Sequence, residues 1–232
     1  MPKLRWISDN ALCSAVSGLL SHARNAKIKS VTQFGKNVID PFSALFEMAG
    51  FGMNNEEWTK SETARQAQKT LQNHIGEFHQ NILGSCKGWD NMHTGSVIDL
   101  ASAKEKVIAE IKNKYNTISG GKLADLYHSL ANLVMPKTNI YKDYTAYYVV
   151  IIPKKPSRYN KEFTPSDNKK GEKCPPNSKI REIDGASFYS IVTGHINALQ
   201  DLFNALPSVI KEVSGVPFDK NKLEGFFKKA YG

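Results

Sequence analysis

Between Asn54 and Leu83 the apolar residues Ala64, Ala67, Leu71, Ile75, Phe78 and Ile82 recur at steps of three and four. That spacing lays one apolar stripe along a single helix, and the glycines of "LGSCKGWD" bring it to an end. A similar pattern predicts a helix over Asn10 to Lys27 and another opened by "DPF" at Asp40 to Phe42. From Ser96 the period changes to two. Val97 to Ala103 and Lys106 to Asn113 read as the strands of a hairpin around Lys104 and Glu105. Helical spacing returns from Gly121 to about Met135, with Leu123, Leu126, Tyr127, Leu130 and Leu133 on one side. "YTAYYVVIIP", Tyr144 to Pro153, is then a continuous β-branched and aromatic run, the pattern of a strand covered on both faces.

Strand, helix and buried strand in that order predict a right-handed crossover. The expected fold class is therefore α/β, a central mixed β-sheet flanked by helices. Between Lys154 and Lys179 eight basic residues against three acidic ones leave +5, and four of the ten prolines fall here, so this segment reads as a long basic loop. After it comes one amphipathic helix carrying Phe188, Ile191, Val192, Leu199, Leu202, Phe203 and Leu206, interrupted by Pro207. A short basic helix containing "FFKKAYG" closes the chain. The expected organisation is a single domain over 1–232, with a helical N-terminal part to about 85, a core over about 86–153, the basic loop 154–179 and a helical C-terminal part from about 185.

Composition adds a partner class. A length of 232 residues with 41% hydrophobic content is enough for a packed core. The net charge of +9 favours a polyanion such as nucleic acid. Cys13, Cys86 and Cys174 are far apart and form no CxxC, so local spacing encodes neither a disulfide framework nor a cysteine zinc site. "ALCSAVSGLL" is far too short to span a bilayer, and no cleavage pattern follows it. A cytoplasmic protein without a membrane partner is expected.

The hairpin carries the candidate chemistry. Glu110 and Lys112 are two apart on one strand and share a face, roughly 7 Å from each other. If the hairpin closes symmetrically about residues 104 and 105, Asp99 lies across from Glu110, and directly opposed residues share a face. Two carboxylates facing each other are destabilising, and one lysine offsets only half of the pair. A divalent metal resolves the conflict, since Mg²⁺ takes hard oxygens from one or two carboxylates and leaves its other positions to water and phosphate. A solvated hairpin face with a Glu–Lys pair is the ordinary alternative. Against it, "VIDL" and "VIAEIK" set these charges among apolar β-formers, a costly place for carboxylates without a task.

At these residues the chain resembles the PD-(D/E)xK nucleases, in which an Asp on one strand and a (D/E)-x-Lys on the next hold Mg²⁺. The runs "IGEFHQNILG" (Ile75 to Gly84), "GWDN" (Gly88 to Asn91), "AEIKNKYNT" (Ala109 to Thr117) and "FYSIVTGHINALQDLFNALP" (Phe188 to Pro207) are similar to type II restriction endonucleases of the AvaII and SinI kind. That resemblance implies a restriction-endonuclease-like core. It further implies hydrolysis of double-stranded DNA at a short palindromic GGNCC-like site within a restriction-modification system, 5′-phosphate products, a homodimer, and dependence on Mg²⁺ with Mn²⁺ as a substitute. Asp99 matches the first metal-binding acid, Glu110 the second and Lys112 the lysine. The backbone carbonyl of Ile111 is a further metal ligand by the same resemblance, and Glu77, on the helix before the hairpin, a ligand through water. The pattern departs at Ile98, where a proline often precedes the first acid. A shift of one residue in register would turn Asp99 away, which keeps Asp90 of "GWDN" as its rival.

Elsewhere, His74, His79, His93 and His128 show no ligand spacing and read as surface or hydrogen-bonding residues. "SGGKLAD" lacks the first glycine of a phosphate loop, and a glycine turn opening a helix accounts for it. Asn113, Lys114, Asn116 and Thr117 follow the lysine and are candidates for phosphate or base-edge contact. Arg158 and Arg181 are candidates for bidentate reading of guanine. Two rival functions stand beside restriction: a structure-selective repair nuclease of the same fold, and a DNA-binding protein without catalysis.

Overall fold

A computed structural model describes residues 2–92, 96–217, 219 and 221–232. The chain forms two compact units, one built from residues 1–16 and 76–232, the other from 17–75. Among the described residues no helix is long and apolar enough to cross a membrane.

The smaller unit is helical. It holds most of α1 (Asp9–Thr32), α2 (Pro41–Phe51) and the first two thirds of α3 (Asn55–Gly84). Helix α2 starts where "DPF" predicts. The Asp40 carboxylate caps it by accepting the Phe42 and Ser43 N–H groups, Pro41 fills the first turn, and Gly52 ends it at φ +66°.

The larger unit is built on a six-stranded mixed sheet in the order β1-β2-β3-β4-β8-β5. Its strands are β1 (Asp90–Asn91), β2 (Leu100–Ser102), β3 (Val107–Lys114), β4 (Thr145–Ile152), β5 (Asn160–Glu162) and β8 (Ile180–Asp184). Strand β3 runs antiparallel to β2 and parallel to β4, and β4 is parallel to β8. The connection from β3 to β4 is α4 (Gly120–Val134). Its buried Ala124, Tyr127, Leu130 and Val134 share a core with Ile108, Ala146, Tyr148, Val150 and Ile180 on one side of the sheet. Among the residues of the alternate side, Tyr147 meets Phe188 of α5 (Gly185–Thr193) at 5.8 Å between ring centroids. The α/β expectation and the doubly covered β4 are both observed.

Two expectations need correction, and one strand is added. The basic segment 154–179 is not all loop: β5 adds to the main sheet, while β6 (Ser166–Asp167) and β7 (Glu172–Lys173) form a separate small hairpin. Strand β8 has no counterpart in the sequence reading, because "IREID" does not alternate cleanly and its burial is likewise irregular. The long helix after it is two helices, and the break lies at Gly194 rather than at Pro207. Gly194, at φ +72°, caps α5 by donating its N–H to the Ser190 carbonyl. Pro207 sits inside α6 (Ala198–Ser214), where the buried Leu199, Leu202 and Val209 carry the helix past it. A final helix, α7 (Asn221–Tyr231), contains the basic C-terminal motif.

Candidate active site

The β2–β3 ladder pairs Leu100 with Ala109, Ala101 with Ile108 and Ser102 with Val107. This is the register given by closure about residues 104 and 105, and Lys106 makes the turn in a left-handed conformation, φ 50°. Asp99 lies one residue before β2, where the backbone leaves the ladder. Its N–H donates to the Ala109 carbonyl at 2.8 Å, so the main chain there does not reach a strict position opposite Glu110. The side chain makes up the step. One carboxylate oxygen accepts the Ile111 N–H at 2.6 Å, and the neighbouring Glu110 and Gln80 side chains favour the charged form of the Asp99 carboxyl.

On β3, Glu110 and Lys112 project from the side opposite to Ala109, Ile111 and Asn113. Lys112 Nζ lies 2.5 Å from Glu110 Oε1, with both side chains largely covered. Across the sheet, Glu110 pairs with Tyr148, Tyr148 with Glu182 and Glu182 with Lys161, so one row runs from the two acids to a second acidic position. Glu182 accepts from the Tyr159 hydroxyl at 3.1 Å and meets Lys161 Nζ at 3.3 Å. A cleft of about 300 Å³ opens beside this row, lined in part by Tyr115, Tyr148, Val150, Lys161, Lys173 and Glu182.

The electrostatics are those of crowded negative charge. Burial pushes the Glu110 carboxyl up to about 7, the neighbouring Asp99 adds to the rise, and Lys112 offsets part of it. Burial also raises Asp99, against the lowering influence of the Ile111 N–H and Lys112. Burial, then Glu182 and Glu110, hold the Tyr148 phenol well above its usual range, keeping it a neutral donor. Two half-buried neighbouring carboxylates, facing one ammonium, leave excess negative charge. Their oxygens are the hard donors that a small divalent cation prefers, so the residues present fit a Mg²⁺ site.

The other candidates are spread around this centre. Asp90 sits in β1 opposite Ala101 and is exposed, a strand further from β3 than Asp99. Glu77 is exposed on α3, one turn before Gln80. Asn113 is 9% exposed and its Oδ1 is buried without a partner. Lys114, Asn116 and Thr117 are exposed at the end of β3, where the Thr117 hydroxyl accepts the Lys114 N–H at 3.2 Å. Arg158 donates to the Ser190 hydroxyl and the Ile196 carbonyl, and Arg181 to the side chain and carbonyl of Asn160. Both guanidinium groups therefore enter any new contact from existing ones. His79 bonds the Tyr189 hydroxyl at 2.8 Å and His128 the Asp167 carboxylate at 3.1 Å, while His74 stacks on His22. His93 lies outside the described residues.

Three residues beside the acids went unnoticed in the sequence: Gln80, Tyr148 and Glu182. Gln80 belongs to "IGEFHQNILG", but a glutamine on a helix carries no spacing signal of its own. Tyr148 reads as core, and Glu182 lies in the strand that the pattern does not reveal.

Comparison with known proteins bears on the whole chain. A family model described as Eco47II restriction endonuclease matches residues 4–214. The chain is similar to the type II restriction enzyme Eco47II of Escherichia coli, 49% identical over 241 residues that cover 100% of both proteins. It is also similar to the type II restriction enzyme Sau96I of Staphylococcus aureus, 29% identical over 214 residues that cover 90% of this chain and 80% of that protein.

Proposed function

The chain belongs to the Eco47II restriction endonuclease family and is a type II restriction endonuclease; from that premise we propose that Asp99, Glu110 and Lys112 form its hydrolytic centre. The observation that carries this assignment is a pair of half-buried, electrostatically interacting carboxylates that face a single lysine.

In this reading Asp99, Glu110 and the Ile111 carbonyl would hold Mg²⁺, with Mn²⁺ as a substitute and Glu77 as a ligand through water. When bound, the ion supplies polarisation of the phosphodiester, acidification of a bound water and stabilisation of the leaving oxygen. The protein's own groups prepare the site. Asp99, fixed by the Ile111 N–H, holds its carboxylate on the side of Glu110, with the Gln80 side chain nearby. Lys112 Nζ, beside Glu110, would orient the attacking water or meet charge on the phosphate. The exposed residues Lys114, Asn116 and Thr117 then lie where the backbone of double-stranded DNA enters. Asn113, Arg158 and Arg181 are the candidates for base reading.

The substrate is a short palindromic site of the GGNCC type, cut to leave 5′-phosphates. Two copies acting as a homodimer match protein symmetry to that of the site. The whole chain acts as one endonuclease domain in the cytoplasm. Digestion of a plasmid of known sequence with Mg²⁺, followed by sequencing of the ends, tests this directly. Discrete fragments ending at one such motif are expected. A smear would point to the structure-selective repair nuclease, and binding without cleavage in Mg²⁺ or Mn²⁺ to the non-catalytic reading.

A further inference from the structure

The β6–β7 hairpin is too small to hold itself. It has two pairs, Ser166 with Lys173 and Asp167 with Glu172, and a lone two-stranded hairpin is marginal in water even when much longer. It also sits in the basic segment 154–179, which carries +5, where like charges oppose a compact loop. Yet Asp167 is only 4% exposed and Cys174, immediately after β7, only 3%. Cys174 joins the core under α4, and His128 of α4 meets the pair. The imidazole nitrogen, an Asp167 oxygen and the Cys174 sulfur all lie within 4.8 Å of one another, and His128 Nε2 is 3.1 Å from Asp167 Oδ2.

We propose that His128, Asp167 and Cys174 form a zinc site that clamps the β6–β7 hairpin onto α4, separate from the acidic centre on β3. A nitrogen, a carboxylate oxygen and a thiolate are the three donor types zinc accepts, and the sulfur argues against Mg²⁺ or Ca²⁺. Bond lengths of about 2.0–2.3 Å in a tetrahedron separate the ligand atoms by about 3.3–3.8 Å, so the His128–Asp167 edge is already close to the required span. The supporting contacts are of the kind that fix ligands. The other Asp167 oxygen accepts the Lys169 N–H at 3.0 Å, the Cys174 N–H donates to the Pro165 carbonyl at 2.8 Å, and the Tyr127 hydroxyl donates to the Pro175 carbonyl at 2.8 Å. The three protein ligands leave a fourth position for water. Binding deprotonates the Cys174 thiol and releases that proton to solvent. The ligands stand 39 residues apart from α4 to β6, so no local motif announces the site.

The test is metal content and spectroscopy on tag-free full-length protein purified without chelator. About one zinc per chain is expected. Replacing it with Co²⁺ should produce a thiolate-to-cobalt charge-transfer band and the intense visible bands of tetrahedral Co²⁺. An all-oxygen centre at Asp99 and Glu110 gives neither, so Glu110→Ala should keep both signals. Cys174→Ala and His128→Ala should lose the band and most of the zinc. His128→Cys, which keeps a ligand, should retain zinc and add a second thiolate to the band, which separates ligand loss from misfolding. Folded wild-type protein that holds no zinc and shows no thiolate band with Co²⁺ would overturn the site, whatever its activity on DNA.

Discussion

Asp184 and the pair Asp99–Glu110 are carboxylates of one sheet withdrawn from water, Asp184 fully and the pair in part, and they are treated in opposite ways. Asp184 ends β8 at 1% exposure, and its oxygens accept the Tyr159 N–H at 2.7 Å and the Ser187 N–H at 3.0 Å. It closes one turn and caps one helix, so backbone donors answer its charge. Glu110 is half-buried beside another acid, with Lys112 as the cation in contact. The first arrangement spends a charge on architecture; the second leaves charge unanswered, as a centre that recruits a cation requires.

Exchanging the two roles by mutation should expose this difference most strongly. Glu110→Gln or Lys112→Ala is expected to lower cleavage by about 10³-fold or more, the equivalent of at least ~4 kcal/mol of transition-state stabilisation, with specific DNA binding retained in gel-shift assays. Removing the repulsion should also make the metal-free Glu110→Gln protein more stable, by about 1 kcal/mol in urea melts above pH 7. Asp184→Ala should do the reverse, losing about 2–4 kcal/mol of stability while the folded fraction keeps its turnover. Full cleavage by Glu110→Gln would remove Glu110 from the centre.

Acidity sharpens the comparison by a smaller margin. With its carboxyl pushed up to about 7, Glu110 holds a proton at pH 6 that a metal must displace. Apparent Mg²⁺ or Mn²⁺ affinity should therefore fall up to about tenfold per pH unit below 7, measurable by calorimetry. The linkage to folding has the opposite sign. The native state keeps this proton over the window from about 4.5 to about 7 in which the unfolded chain gives it up, so the group's contribution to stability declines as pH rises through that window. A metal affinity independent of pH between about 6 and about 8 would count against Glu110 as a ligand. The smallest effect is expected at Gln80. Its amide only steadies Asp99, so Gln80→Ala should reduce kcat by about tenfold with little change in KM, and Gln80→Asn should not restore the reach.

The hairpin and the long helices were legible because their cause is local. A stripe at helical spacing fixes α3, Asp40 and Pro41 fix the start of α2, and the turn about residues 104 and 105 fixes the β2–β3 register. That register was enough to bring Asp99 and Glu110 towards each other in the reading, although the contact is completed by a side chain where the backbone leaves the ladder. What stayed hidden depends on partners distant in sequence. Strand β8 is held by β4 rather than by its own alternation. Gln80 matters only because α3 brings it to Asp99. Gly194 and Pro207 show propensity read the wrong way round: the glycine's positive φ ends a helix, and the proline is carried by the burial around it.

The strand order has one more consequence. The outer strands, β1 and β5, are two and three residues long, and β5 is exposed throughout with Lys161 at its centre. Short, charged borders are poor templates for pairing with another chain. A basic protein that gathers on DNA thus has a sheet that does not invite fibre growth, and its short outer strands offer a twofold partner little backbone to extend.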